Sequence, residues 1–290
     1  MPESLAHKPL LAWYADHARD LPWRRREATV WGVLVSEIML QQTPVARVLP
    51  VYGAWLARWP TPAALADERP GEAVRMWGRL GYPRRALRLH EAATLIDAEH
   101  GGEVPRSYDD LRALPGVGDY TAAAVRAFAF RERVAVLDTN VRRVLGRVGA
   151  GLAVPPPAVT RRERMLAEEM LPDDPGTAAT WSVATMELGA LVCTARAPAC
   201  AGCPVASLCL WKAAGYPGPE GPPARAQTYA GTDRQCRGWI LGVLREATGP
   251  VADVEVEATW DDHVQGERAL ASLLDDGLVV RVGEGSLSLP

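Results

Sequence analysis

The chain has 290 residues, 48% of them hydrophobic, enough for about two domains with real cores. No run approaches the roughly eighteen apolar residues of a membrane span, so a soluble globular protein is expected. The formal net charge of −3 argues against a nucleic-acid partner until it is divided: residues 1–212 carry 26 Lys+Arg against 23 Asp+Glu, whereas residues 213–290 carry 6 against 12. A basic partner surface would therefore belong to the first part. Of the 32 basic residues only Lys8 and Lys212 are lysine, which limits any chemistry that needs a nucleophilic amine.

The N-terminal ten residues contain no apolar secretory segment, so a reducing cytosol and free thiols are expected. Downstream, apolar residues recur at helical spacing, as in Ala86-Leu87-Leu89-Ala92-Ala93-Ile96 and Val141-Val144-Leu145-Val148, and predict many short helices. Glu37 lies within Val33-Leu34-Val35-Ser36-Glu37-Ile38-Met39-Leu40, whose apolar side chains would desolvate a carboxylate, raise its pKa and suit it to general-acid work. Gln41 and Gln42 end that helix, and Thr43-Pro44 reads as an N-cap and first-position pair opening the next. Trp31, Trp55, Trp59 and Trp77 are assigned to the core, and the five histidines show no metal-ligand spacing.

Leu114-Pro115-Gly116-Val117-Gly118-Asp119-Tyr120-Thr121-Ala122 reads as two helices joined by a tight glycine turn. Glycine admits positive φ and close approach of a ligand to the backbone, so successive N–H groups could face one DNA phosphate. A plain helix–helix turn has the same signature. Asp138 precedes the helical stretch from Asn140 to Gly149, placed to cap it, and the helix dipole would keep the carboxylate ionised. A cap alone would explain its position. One carboxyl protonated and one charged is nevertheless the division of labour that glycosidic cleavage requires.

Cys193, Cys200, Cys203 and Cys209 follow the spacing C-x6-C-x2-C-x5-C. Four thiolates can hold a [4Fe–4S] cluster, one sulfur per iron. Zinc competes for the same ligands, but usually through two short pairs, and three unequal gaps favour the cluster. Cys236, far downstream, reads as a small buried hydrophobe. A Pro/Gly-rich linker is expected over 217–232. Beyond it a helix from Asp233 to Glu246, another near Val264 to Asp275, and two apolar runs around a glycine turn within Gly277–Leu289 read as a winged-helix-like α/β module over 233–290. Its acidity disfavours phosphate contact and leaves packing on the rest of the chain, or binding of a protein, as its role.

Taken together, Leu21-Pro22-Trp23-Arg24, the Ser36–Thr43 segment, Leu80-Gly81-Tyr82, the hairpin, Leu137-Asp138-Thr139-Asn140-Val141 and the four cysteines resemble the endonuclease III superfamily. The likeness is greatest to its MutY-type adenine DNA glycosylases and runs from about Leu21 to Lys212. It implies a mainly α, two-lobed helix-hairpin-helix glycosylase over 1–216, with a six-helix lobe over about 20–134 and a cluster lobe from 1–19 and 135–216. It further implies a monomer acting on double-stranded DNA, flipping out an adenine mispaired with 8-oxoguanine or guanine and hydrolysing its N-glycosidic bond. On the matching positions, Glu37 would protonate the leaving base and Asp138 would stabilise the oxocarbenium-like sugar, supported by Tyr120 and Asn140. Gln41, Gln42, Thr43 and Tyr82 would probe the duplex, and Gly116, Val117 and Gly118 would hold its backbone.

The lyases of this superfamily carry a lysine at the position of Tyr120; here neither lysine falls in a catalytic motif, so a monofunctional hydrolase is implied. Three departures keep other readings open. Val183 stands where the family often places a glutamine, Thr139 stands where many members have glycine, and only about 60 residues follow the linker in place of the usual reading domain for 8-oxoguanine. A mismatch-specific thymine or uracil glycosylase, or a noncatalytic iron–sulfur DNA-binding regulator, are the alternatives.

Overall fold

A computed structural model describes residues 4–218 and 229–290. In chain order it contains α1 (Ser4–His17), a 3₁₀ turn (Pro22–Arg24), α2 (Val30–Leu40), α3 (Val45–Arg58), α4 (Pro62–Ala66), α5 (Pro70–Trp77), α6 (Arg84–His100), α7 (Tyr108–Ala113), α8 (Asp119–Phe128), α9 (Thr139–Ala150), α10 (Arg161–Met170) and α11 (Pro175–Leu191). A second 3₁₀ turn (Cys200–Gly202) and α12 (Leu210–Ala213) follow, then α13 (Asp233–Glu246), β1 (Val251–Ala252), α14 (Asp253–Glu257), α15 (His263–Asp275), β2 (Val280–Arg281) and β3 (Ser286–Ser288). The fold is mainly helical, as the apolar periodicity leads one to expect. Of the expected linker, residues 219–228 lie outside the described residues. No helix among the described residues is long and apolar enough to cross a membrane.

The chain divides into two compact units, one from residues 1–34, 106–112 and 117–222, the other from 35–105, 113–116 and 223–290. In the first, α9 packs on α11 through Val141, Val144, Leu145, Ala184 and Leu188, and α1 lies against α11. The helices α9 and α11 meet so closely that a Cβ added at Gly189 would stand 2.7 Å from the Cβ of Asn140. Glu187 on α11 is fully buried and takes Arg19 in a two-pronged pair (2.7 Å to each oxygen) together with Arg24 Nη1 at 2.9 Å. Burial alone would raise its pKa, but hydrogen bonds from Arg19 and the charge of Arg24 outweigh it and hold the carboxyl below the ordinary glutamate value. The arginine of the Leu21-Pro22-Trp23-Arg24 motif is thus a structural anchor.

The second unit is built round three fully buried tryptophans. Trp55 meets Trp59 edge-on at 4.7 Å and Trp77 at 5.8 Å, the preferred T-shaped geometry. Its C-terminal part has the order α13-β1-α14-α15-β2-β3, with an antiparallel sheet ordered β1-β3-β2 and Val251 opposite Leu287, a winged-helix topology. Cys236 is fully buried there, as is Leu273, and Ile240 and Leu241 on the same helix as Cys236 are nearly so. The module packs on α5. Arg75 donates to the carbonyls of Leu244, Arg245 and Ala247 at the end of α13, Arg245 answers with a bond to the Val74 carbonyl, and Gly71 N–H donates to Pro290 O at 2.6 Å. A Cβ at Gly71 would overlap that terminal carbonyl, at 2.3 Å.

Candidate active site and cluster loop

The two carboxylates singled out in the sequence come one from each unit. Asp138 is the N-cap of α9: its Oδ1 accepts from Val141 N–H at 2.6 Å and its Oδ2 from Asn140 Nδ2 at 2.9 Å. The expected helix dipole and both hydrogen bonds favour the ionised form, yet burial outweighs them and pushes the Asp138 carboxyl above the usual aspartate range. The result is a more basic carboxylate than capping alone predicts. Asn140 is itself fixed, its Oδ1 accepting from Arg143 Nη2 at 2.7 Å. Tyr120, the second residue of α8, is half-buried and packs against Ala124, Ala127 and Val136.

Glu37 sits on α2 with only 5% exposure, and its sequence neighbours Val35, Ser36, Ile38 and Met39 are fully buried. The loop after α2 holds Gln41, Gln42 and Thr43. Gln41 Nε2 donates to Gly116 O at 3.3 Å, joining this loop to the hairpin turn. Gly116 has φ +82, a backbone that its neighbours could not adopt cheaply, and Gly118 in extended conformation caps α8. Val117 O accepts from Arg112 Nη1 at 2.6 Å, which fixes the turn from its own side. Thr43 differs from expectation: Pro44 is the N-cap of α3, without a side-chain bond, and the Thr43 hydroxyl instead serves Gln41 O and Leu80 O, both at 3.3 Å, and accepts from Arg85 Nη2. The competing buried guanidinium is the reason. Tyr82 is 51% exposed, and its hydroxyl donates to Gln42 Oε1 at 2.9 Å.

Cys193, Cys200, Cys203 and Cys209 are unpaired and half-buried, and all four line one cavity with Val144, Val148, Leu188 and Trp211. No three His, Cys, Asp or Glu among the described residues are drawn together closely enough to hold a single metal ion. Four thiols lining one cavity supply the set a [4Fe–4S] cube takes, one thiolate per iron. Burial pushes the Cys203 thiol up to about 11 and raises Cys193 as well, while Arg147 Nη1, 3.3 Å from Cys193 Sγ, favours the thiolate that iron requires. Such N–H···S bonds stabilise the charge of a bound cluster.

Sequence reading missed the arginines that organise these parts. Arg143 donates to Asn140 Oδ1, Gly189 O and Cys193 O, each at 2.7 Å. Arg147, only 2% exposed, donates to the carbonyls of Ala153, Thr194 and Ala195 and stacks on Trp211 at 4.4 Å. Their four-residue spacing on α9, facing a cysteine loop, was the available signal. Arg85 holds a comparable place in the other unit.

Comparison with known proteins gives these features a family. Residues 35–168 match the HhH-GPD superfamily of base excision DNA repair proteins, and residues 193–209 match the iron–sulfur binding domain of endonuclease III. The chain is 51% identical over 290 residues to the adenine DNA glycosylase of Mycobacterium tuberculosis, covering 100% of this chain and 95% of that one. It is 53% identical over 289 residues to the adenine DNA glycosylase of Mycolicibacterium smegmatis, with coverage of 99% and 96%. Among solved structures, a thermostable thymine-DNA glycosylase matches with a TM-score of 0.65 at 27% identity, over 73% of this chain and 97% of that one. With a DNA-binding glycosylase fold, a loop that takes a [4Fe–4S] cluster and this identity along its full length, the chain belongs to the adenine DNA glycosylases of the HhH-GPD superfamily, N-glycosyl hydrolases of base excision repair.

Proposed function

We propose that the enzyme acts as a monomer on adenine mispaired with 8-oxoguanine or guanine in double-stranded DNA. The observation that carries the mechanism is the Asp138 carboxylate, held by Val141 N–H and Asn140 and made more basic by burial. A basic, fixed carboxylate suits the face of an oxocarbenium-like sugar, where it offers charge or a transient bond. Glu37, buried on an apolar helix, protonates the departing adenine so that it leaves neutral. Tyr120 and Asn140 support the sugar site. With tyrosine at position 120 and lysine absent from these motifs, hydrolysis proceeds without a Schiff base.

Gln42 and Tyr82 probe the stack while Gln41 and Thr43 position their loop, and the Gly116-Val117-Gly118 turn offers backbone N–H groups to a phosphate. Cys193, Cys200, Cys203 and Cys209 hold the cluster, whose part here is to order the loop that carries them. The deciding experiment is single-turnover cleavage of matched duplexes containing A:8-oxoguanine, A:G, T:G and U:G. Excision confined to the two adenine substrates is expected; efficient cleavage of T:G or U:G would transfer the enzyme to the mismatch pyrimidine glycosylases, and cleavage of none would leave it a binding protein.

A further inference from the structure

Arg85 on α6 is 7% exposed, and no carboxylate pairs with it among the described residues. Its guanidinium is spent on carbonyls instead. Nη1 donates to Ile38 O at 3.1 Å, Met39 O at 3.3 Å and Gln41 O, and Nη2 donates to Gly81 O and Thr43 Oγ1, each at 3.1 Å. The acceptors come from two segments distant in sequence, the last turn of α2 with the Gln41–Thr43 loop after it, and Gly81 in the loop before α6. Thr43 Oγ1 extends the link to Leu80 O, and Trp77 Nε1 adds a second donor on Gly81 O at 3.0 Å.

Each loop ends in a strained residue. Gln42 has φ 55 and Tyr82 φ 49, a left-handed region that side chains other than glycine adopt only when their surroundings enforce it. These two meet tip to tip through the Tyr82 hydroxyl, and Arg85 lies 5.0 Å from the centre of the Tyr82 ring on its inner side. A buried guanidinium whose two terminal nitrogens are both spent on acceptors of the protein is unsuited to gripping phosphate. What it can do is fix two loop ends in one geometry.

We infer that Arg85 is a positioning residue for opposite-base recognition, one that holds Gln42 and Tyr82 as a single preformed wedge. This rests on the proposed role of those two side chains in probing the duplex. A wedge already assembled enters the stack without ordering two separate loops at the moment of binding, and that saving is largest where a mispair has weakened the stack. Arginine is required, because a lysine offers one point charge where the planar fork reaches both loops at once.

The test uses the full chain with its cluster bound. Binding to a duplex with a mispaired adenine and to the fully paired duplex is compared, and 2-aminopurine beside the opposite base reports unstacking. R85M should lower the preference for the mispaired duplex by on the order of tenfold, the range of coupling between groups in contact, and should abolish the 2-aminopurine signal while leaving paired-duplex affinity nearly unchanged. R85K should not rescue it, and T43V, which removes one acceptor, should give a smaller loss that stands in for R85M if that variant does not fold. The double variant Q42A/Y82A should show the same loss, and adding R85M to it should cost nothing further. Wild-type preference in folded R85M and R85K, a lower melting temperature alone, or further loss in the triple variant would overturn the inference. Unchanged preference in Q42A/Y82A would instead refute the probing role on which it stands.

Discussion

At the scale of single residues, the proposed mechanism makes the environment of Asp138 the determinant of pH behaviour. Burial raises its pKa while Val141 N–H, Asn140 and Arg143 pull it down, and the net direction is upward. The proposed mechanism uses the ionised carboxylate, so activity should fall as pH drops through this raised value, earlier than an ordinary aspartate near pH 3.9 would dictate. Asn140→Leu removes a hydrogen bond to the charged form and should move that acidic limb to higher pH; a limb that stays in place would mean another group sets it. Replacing the carboxyls themselves tests the chemistry more directly. Glu37→Gln and Asp138→Asn should each reduce single-turnover excision by about 10²–10⁴-fold with DNA affinity little altered, since both are proposed to act on the transition state. A near wild-type rate for either would place its assigned role elsewhere.

At the scale of elements, the contact between α9 and α11 positions the end of α9 that bears Asp138 and Asn140. Gly189 leaves no room for a methyl group: its added Cβ would meet Asn140 Cβ at 2.7 Å and Asn140 O at 2.9 Å, both rigid parts of the chain. Gly189→Ala should therefore cost about 1–3 kcal/mol, the usual penalty of overpacking, and reduce excision disproportionately by shifting the cap. A melting temperature and rate equal to wild type would show that the helices can part without consequence. This glycine could not be read from the sequence, because a glycine inside an amphipathic helix announces neither its neighbour nor its distance. What could be read were elements whose signal is local: Asp138 as the N-cap of α9, the helix from Asp233 to Glu246, the glycine hairpin and the buried tryptophans. The two-residue strand β1 and the five-residue helix α14 were too short to leave a period. Arg85, Arg143 and Arg147 were missed for a different reason. An arginine amid helical polar positions reads as a solvated side chain, whereas these three are folded inward onto carbonyls supplied by distant segments.

For the molecule as a whole, the open question is what the C-terminal module contributes. Residues 213–290 carry 6 basic against 12 acidic residues, which weighs against a phosphate-binding surface. The module's visible commitments are inward: Arg75 on the last carbonyls of α13, Arg245 on Val74 O, and the terminal carbonyl of Pro290 on Gly71. Ala73 and Val74 on α5 are fully buried, and Gly71 accepts no side chain because Leu289 and Pro290 lie against it. A buttress of this kind stabilises the unit that contains Glu37 and the Gln42 and Tyr82 loops, a role that requires no contact with DNA. Truncation after Gly215 should accordingly lower the melting temperature by stripping α5, and Arg75→Ala should lower it less, by removing one donor. Where the truncated chain remains folded, the ratio of excision rates opposite 8-oxoguanine and guanine should change little if, as proposed, discrimination rests on Gln42 and Tyr82. Selectivity for the oxidised base should be correspondingly modest. Single-turnover rates on the two duplexes check this: a selective fall opposite 8-oxoguanine, with the rate opposite guanine preserved, would assign the reading of the damaged base to the module after all.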